Sequence, residues 1–272
     1  MATGAFTLVE GFKTVERETR GKRRVAGPSA AAVGDGFVYV GNRATSEVCA
    51  VSETTLKLGT CLTLPTPTDG VAYVASAKEV WVTTPRDHSL TVLDASDPAV
   101  LKPKLVIRTS GSPEGYAVDS RRGLFYTNLE DTDHTLVIDI GTHAVEATWS
   151  PGCGGDGPRG IAVDEARNFV FVACTDGVKV LDGAHEGSLL GSLDTGAGVD
   201  NIEYLDVGKL LFVASAKASR LTLARLSDRG EPLIVATGVT AEGARNAVAD
   251  SKGNAYVVDP RAARLLAFTM PH

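Results

Sequence analysis

The feature that most restricts what this chain can become is an internal repeat. Six segments share an aromatic or β-branched pattern that ends in a small or polar residue: Tyr39-Val40-Gly41-Asn42, Trp81-Val82-Thr83-Thr84, Phe125-Tyr126-Thr127-Asn128, Phe171-Val172-Ala173-Cys174, Phe212-Val213-Ala214-Ser215 and Tyr256-Val257-Val258-Asp259. Their first residues lie 42, 44, 46, 41 and 44 positions apart. Upstream of each runs a second short apolar stretch, such as Tyr116-Ala117-Val118, Ile161-Ala162-Val163 or Ala247-Val248-Ala249. In four repeats the link between the two begins with Asp (Asp119, Asp164, Asp206, Asp250) and contains Gly or Asn (Gly123, Asn168, Gly208, Gly253). Asp closes such turns with its side chain, and Gly or Asn tolerates the left-handed backbone of a tight hairpin. These residues therefore read as punctuation and not as catalysts. An alternating strand follows each anchor, as in Leu90 to Asp94, and then a fourth, as in Leu105 to Thr109.

Four short strands recurring every ~40 to 50 residues are the signature of one propeller blade. The expected fold is all-β: a six-bladed β-propeller with four antiparallel strands per blade, filling residues 1–272 as a single domain. The sixth repeat runs out after its third strand, Leu265 to Thr269, so Phe6 to Phe12 is predicted to supply the missing outer strand and close the ring, which would protect the sheet edges. The composition agrees, with 43% hydrophobic residues and 29 glycines in 272 residues. A formal net charge of -6 argues against a nucleic-acid partner. The basic run Arg17, Arg20, Lys22, Arg23 and Arg24 sits beside Glu16 and Glu18 and reads as a solvated connector. No apolar stretch reaches the length of a membrane span. Residues 1–13 lack the basic start and apolar run of a secretory signal, which implies a cytoplasmic protein or one whose signal has been removed.

The tetrads Tyr39-Val40-Gly41-Asn42 and Phe125-Tyr126-Thr127-Asn128 resemble the motif that names the YVTN-repeat β-propeller family, whereas Thr84, Cys174 and Ser215 stand where that motif has Asn. The resemblance extends over essentially the whole chain and rests on residues that build strands and turns. It implies a bacterial, exported protein with a binding or scaffold role. The strand map places Cys49 and Cys61 in adjacent strands of the first repeat, and Cys153 and Cys174 in two loops on one face of the fourth. Two disulfides are expected from it, Cys49–Cys61 and Cys153–Cys174, and bridges favour an oxidising compartment.

In a closed repeat, the loops that precede each first strand converge. Aligning them gives Ser29, Asp69, Glu114, Arg159, Asp200 and Arg245, separated by 40, 45, 45, 41 and 45 residues. Packing residues would be small or apolar, so this mixed set predicts a polar channel mouth. Either the charges pair with one another and plug it, or Asp69, Glu114, Arg159, Asp200, Arg245 and Asn246 bind a ligand. Arg159 and Arg245 flank Asp200 in repeat order and could hold it while offering planar donors to a carboxylate or phosphate. Calcium-dependent propeller hydrolases share this plan and hold their ion with Glu, Asn and Asp oxygens. Glu114, Asp200, Asn201 and Asn246 imitate part of that set, but two guanidinium groups on the same rim oppose a divalent cation.

His88 and His134 follow successive anchors beside Asp87 and Asp133, without a third convergent ligand, and read as loop residues; His143 is expected at an exposed turn. Pro151-Gly152-Cys153-Gly154-Gly155-Asp156-Gly157-Pro158 could present backbone N–H groups to an anion, yet it lacks the Lys-Ser/Thr pair and helix of a phosphate loop. Trp149, just before it, is expected to pack in the core. No nucleophile elbow is present. The favoured reading is a non-enzymatic propeller that binds a small polar ligand or a protein partner, without a cofactor and as a monomer. A calcium-dependent lactonase or ester hydrolase and a pure interaction scaffold stay open as alternatives.

Overall fold

The computed structural model describes residues 7–19 and 22–269. It is an all-β six-bladed propeller fold built as a meander of hydrogen-bonded sheets. No described helix is long and apolar enough to cross a membrane. The chain divides into two compact units, residues 1–110 and 111–272.

The first unit holds a short ribbon and two four-stranded sheets. Sheet 1 runs through Pro28–Gly34, Phe37–Asn42, Glu47–Ser52 and Leu58–Thr63, and sheet 2 through Val71–Val74, Glu79–Thr84, Ser89–Asp94 and Lys102–Arg108. Their facing sides close over Tyr39, Val48, Ala50 and Leu64 from sheet 1 and Val71, Val80, Val82 and Leu93 from sheet 2. Each such side chain taken out of water contributes roughly 1.5–3 kcal/mol. The basic stretch is more ordered than the expected connector: Val15–Thr19 pairs with Lys22–Ala26, and Glu18 stands opposite Arg23. Arg20 lies outside the described residues.

The second unit holds four sheets. Sheet 3 comprises Pro113–Asp119, Leu124–Leu129, His134–Asp139 and Val145–Trp149; sheet 4 comprises Ile161–Asp164, Phe169–Ala173, Gly177–Asp182 and Ser188–Asp194. Sheet 5 comprises Val199–Leu205, Leu210–Ser215, Arg220–Leu226 and Pro232–Val239; sheet 6 comprises Ala247–Ala249, Ala255–Asp259 and Arg264–Phe268. The hairpin aspartates act as turn closers: Asp119 Oδ1 accepts the Arg122 N–H (2.9 Å), Asp164 Oδ1 that of Arg167 (3.0 Å) and Asp250 Oδ1 that of Asn254 (2.9 Å).

Two details of the repeat differ from expectation. Sheet 6 has three strands among the described residues. Phe6 lies outside them, and residues 7–12 form no strand. Beyond them the Lys13 carbonyl is held by Asn42 Nδ2 of sheet 1 (2.9 Å), and Val15–Thr19 is used in the ribbon. The anchor register also moves by one residue in sheet 3. Tyr126, not Phe125, packs with Trp149 against Ile161, Val170 and Val172 of sheet 4, just as Phe171 faces sheet 5 and Phe212 faces sheet 6. Equivalent aromatics are therefore Tyr39, Trp81, Tyr126, Phe171, Phe212 and Tyr256, spaced by 42, 45, 45, 41 and 44 residues. Phe125 points the other way and stacks on Tyr116.

This shift separates the two Asn-ending tetrads. Asn128 reaches forward, donating to the carbonyls of Arg159 (2.8 Å) and Gly160 (3.1 Å) while accepting from the Thr135 hydroxyl (2.6 Å). Asn42 sits one position later in its strand and holds Lys13 instead. The other tetrad ends are occupied differently: Thr84 donates to the Ser89 carbonyl, Cys174 is in a disulfide and Ser215 donates to the Thr195 carbonyl.

Candidate functional site at the inner-strand loops

The aligned loop residues do come together sheet by sheet in the second unit, and backbone contacts hold them there. The Gly160 N–H donates to the Asp200 carbonyl (2.7 Å), and the Asn201 N–H to that of Arg245 (3.4 Å). Glycine follows Glu114 and Arg159 because the inner strands meet backbone to backbone. A Cβ on Gly115 would fall 2.7 Å from the Gly160 Cα, and one on Gly160 would fall 2.7 Å from the Asn201 Cα. Such separations are too short for a side chain to occupy.

The charges at these positions are partnered by a rule that sequence reading missed. Two residues beyond the forward-facing positions Gly41 and Asn128 stand Arg43 and Glu130. Arg43 pairs with Asp69 of the following loop in the first unit, and Glu130 pairs with Arg159 of the following loop in the second. Arg159 also donates to the Asp156 carbonyl (3.0 Å). The matching positions past Ala173 and Ala214 are Thr175 and Ala216, which carry no charge. Asp200 and Arg245 are consequently left to each other, with Arg245 Nε 3.2 Å from Asp200 Oδ2 and the two side chains 62% and 28% exposed. Arg245 thus holds Asp200 as expected, whereas Arg159 has turned to Glu130. The signal was present in the sequence, since Arg43 and Glu130 have the signs opposite to Asp69 and Arg159, but it becomes readable only once the sheet 3 register is corrected.

The rest of the rim in the second unit is polar: Asn201 and Asn246 are exposed, and Glu114 is half-buried at the start of sheet 3. In the first unit, Ser29 lies exposed in sheet 1. Asn201 Oδ1 accepts the Ile202 N–H (3.0 Å). A cation bound at Asp200 would have to displace the Arg245 guanidinium, so the oxygen set Glu114, Asp200, Asn201 and Asn246 does not fit calcium as it stands. Among the described residues, Glu47, Cys49 and Cys61 bring three metal-type donors together, and both sulfurs there are consumed by a disulfide.

Both expected disulfides are present, with Cα–Cα distances of 4.0 Å for Cys49–Cys61 and 5.1 Å for Cys153–Cys174. The second ties the glycine-rich loop to the end of Phe169–Ala173. That loop does offer N–H groups to an anion, and the protein supplies the anion itself: Asp133 accepts from Cys153 N (3.0 Å) and Gly154 N (3.0 Å). His88 caps the turn Pro85–Asp87, and His134 opens a strand; His143 is half-buried at its turn and less open than expected. Trp149 is buried against Tyr126, with ring centroids 5.6 Å apart, and is a core residue.

No family model and no curated protein matches the sequence. Solved structures do. A chain of the hydrazine synthase of Kuenenia stuttgartiensis has a TM-score of 0.76 at 14% identity, covering 92% of this chain and 87% of its own. A protein from Lactobacillus plantarum gives 0.72 at 15% identity, with coverages of 91% and 88%. A Bacteroides uniformis protein carrying the provisional name 6-phosphogluconolactonase gives 0.70 at 13%, with 85% and 78%. Identities this low carry the fold and nothing finer.

Proposed function

We propose that the protein is a binding propeller which takes a small polar ligand at the rim formed by Asp200, Asn201, Arg245 and Asn246, without catalysing its conversion. The observation that carries this reading is the state of Arg245. It is the rim cation to which the preceding sheet offers no acid, its contact with Asp200 runs through Nε, and its side chain is 62% exposed. An exposed guanidinium presents a planar pair of donors that suits a carboxylate or phosphate. Asp200, Asn201 and Asn246 add acceptors and amides for hydroxyl or ammonium groups, so a sugar acid, sugar phosphate or amino acid is the favoured class. Arg159, tied to Glu130 and Asp156, is assigned a structural part. The two disulfides fit a protein that works in an oxidising compartment.

Thermal-shift screening with sugar acids, sugar phosphates and amino acids tests this on wild type, Arg245→Ala and Arg159→Ala. Ligands that stabilise wild type and Arg159→Ala but not Arg245→Ala support the reading. Stabilisation that survives Arg245→Ala places the site elsewhere. Hydrolysis of a lactone or ester panel that is abolished by a chelator would overturn the non-enzymatic assignment.

A further inference from the structure

The outer strands carry a second departure from the repeat, in a place unrelated to the charged rim. In each four-stranded sheet one outer-strand residue pairs with the third strand at the same step of the ladder. These pairs are Leu62 with Val48, Ile107 with Leu90, Trp149 with Thr135, Leu193 with Val178 and Gly238 with Leu221. Four sheets therefore place a large apolar side chain at this step, and sheet 5 places none. In sheet 3 the occupant is an indole, buried between sheets 3 and 4.

Beside this glycine the second unit has a half-open pocket of about 220 Å³ between sheets 5 and 6. Phe212, Leu221, Leu223, Ala236, Gly238 and Phe268 wall it. Phe268 leans toward the bare glycine: its ring atoms lie 2.7 and 2.9 Å from where a Cβ on Gly238 would stand. The ring thus takes the place of the absent side chain, and the pocket remains beside it with Phe268 as one wall. An apolar cavity of about 150 Å³ is already enough to admit benzene, so this one accommodates a larger ring.

We propose that this pocket is a binding site for a small, mostly apolar aromatic molecule of about the size of indole, packed against the Phe212 and Phe268 rings. The site is independent of the Asp200–Arg245 rim.

Indole itself is the probe. Calorimetric titration into the intact protein should show saturable binding, and a crystal soaked in indole should show the ring between Phe212, Leu223 and Phe268. Gly238→Leu, which restores the side chain found in sheets 1 and 4, should weaken binding by about tenfold or more, equivalent to ~1.4 kcal/mol. Ala236→Leu fills the same space from the neighbouring step and serves if Gly238→Leu does not fold. Arg245→Ala should leave indole affinity unchanged. Absence of indole from the cavity in the soaked crystal, or unchanged affinity in either folded filled variant, would overturn the proposal; if neither variant folds, the soaked crystal decides.

Discussion

Removing Arg167 should destabilise the second unit strongly at neutral pH and much less in acid. Asp164, 1% exposed, accepts from Arg167 Nε at 2.6 Å and from the Tyr204 hydroxyl at 2.5 Å, and the Arg167 side chain is 15% exposed. Arg167 also donates to the Ser227 carbonyl (2.8 Å) and lies over the Phe169 ring, so it joins sheets 4 and 5 through charge and stacking together. Burial alone would push the Asp164 carboxyl up; the hydrogen bonds from Tyr204 and Arg167 outweigh it and hold the carboxyl below its ordinary range.

Deleting one partner of a buried pair leaves an uncompensated charge and costs about 3–5 kcal/mol. In wild type the lowered folded pKa contributes stability above the unfolded carboxylate value, and that contribution is lost as pH falls. In Arg167→Ala the Tyr204 and backbone hydrogen bonds to Asp164 remain but those of the guanidinium are lost, so the folded carboxyl rises relative to wild type and this contribution shrinks. The gap between the two curves is therefore full above the ordinary value of 3.8 and closes as pH falls through the lowered folded value. Urea denaturation at a series of pH values from 3 to 7 measures the gap. A gap that stays constant over this range, or one under ~1 kcal/mol at pH 7, would refute the reasoning.

Glu203→Leu should stabilise the protein at neutral pH, because burial raises the Glu203 carboxyl; the gain should shrink as pH falls toward the unfolded value and the buried carboxyl is neutralised, which denaturation at pH 4 and pH 7 would reveal. Separating Cys153 from Cys174 by serine substitution should cost about 3 kcal/mol from loop-closure entropy over their separation of 21 residues, read from the urea midpoint. Gly160→Val should fail to fold or lose several kcal/mol, since its side chain would meet the Asn201 and Asp200 backbone; a midpoint within ~0.5 kcal/mol of wild type would contradict the backbone-to-backbone packing.

The repeat made the sheets, the hairpin turns and the two disulfides legible, because strand alternation and turn chemistry are local and recur with a fixed period. Residues whose role depends on the adjoining sheet were harder to read. Phe125 and Tyr126 are both aromatic, and only contact with Ile161, Val170 and Val172 distinguishes which of them faces forward. That one-step error concealed the equivalence of Arg43 with Glu130, and with it the partners of Asp69 and Arg159. Asp133, which fills the glycine-rich loop's N–H groups, lies 20 residues from Cys153, where spacing carries no signal.

Departures from a structural repeat are informative when stability alone would have preserved the repeat, and here three of them fall between sheets 5 and 6. The inner residue opposite each anchor aromatic is Ala32, Ala72, Ala117 and Ala162 in sheets 1 to 4, but Glu203 in sheet 5 and Val248 in sheet 6. Volume explains part of this. Ala162 faces Ile202 and Tyr204, whereas strand alternation sets Glu203 on the side of Ala247 and Ala249. Any long side chain would fill that space, and leucine would do so without a desolvated acid. Gly238 stands where four sheets place a large apolar residue and borders a half-open apolar pocket, and Ala216 leaves Arg245 without the neighbour that its counterpart Arg159 has. A carboxyl, a cavity and an exposed guanidinium each run against packing or pairing, and all three sit on the same pair of sheets. The exposed guanidinium and the pocket beside Gly238 are also the two proposed binding sites, so sheets 5 and 6 are where ligand binding is tested first.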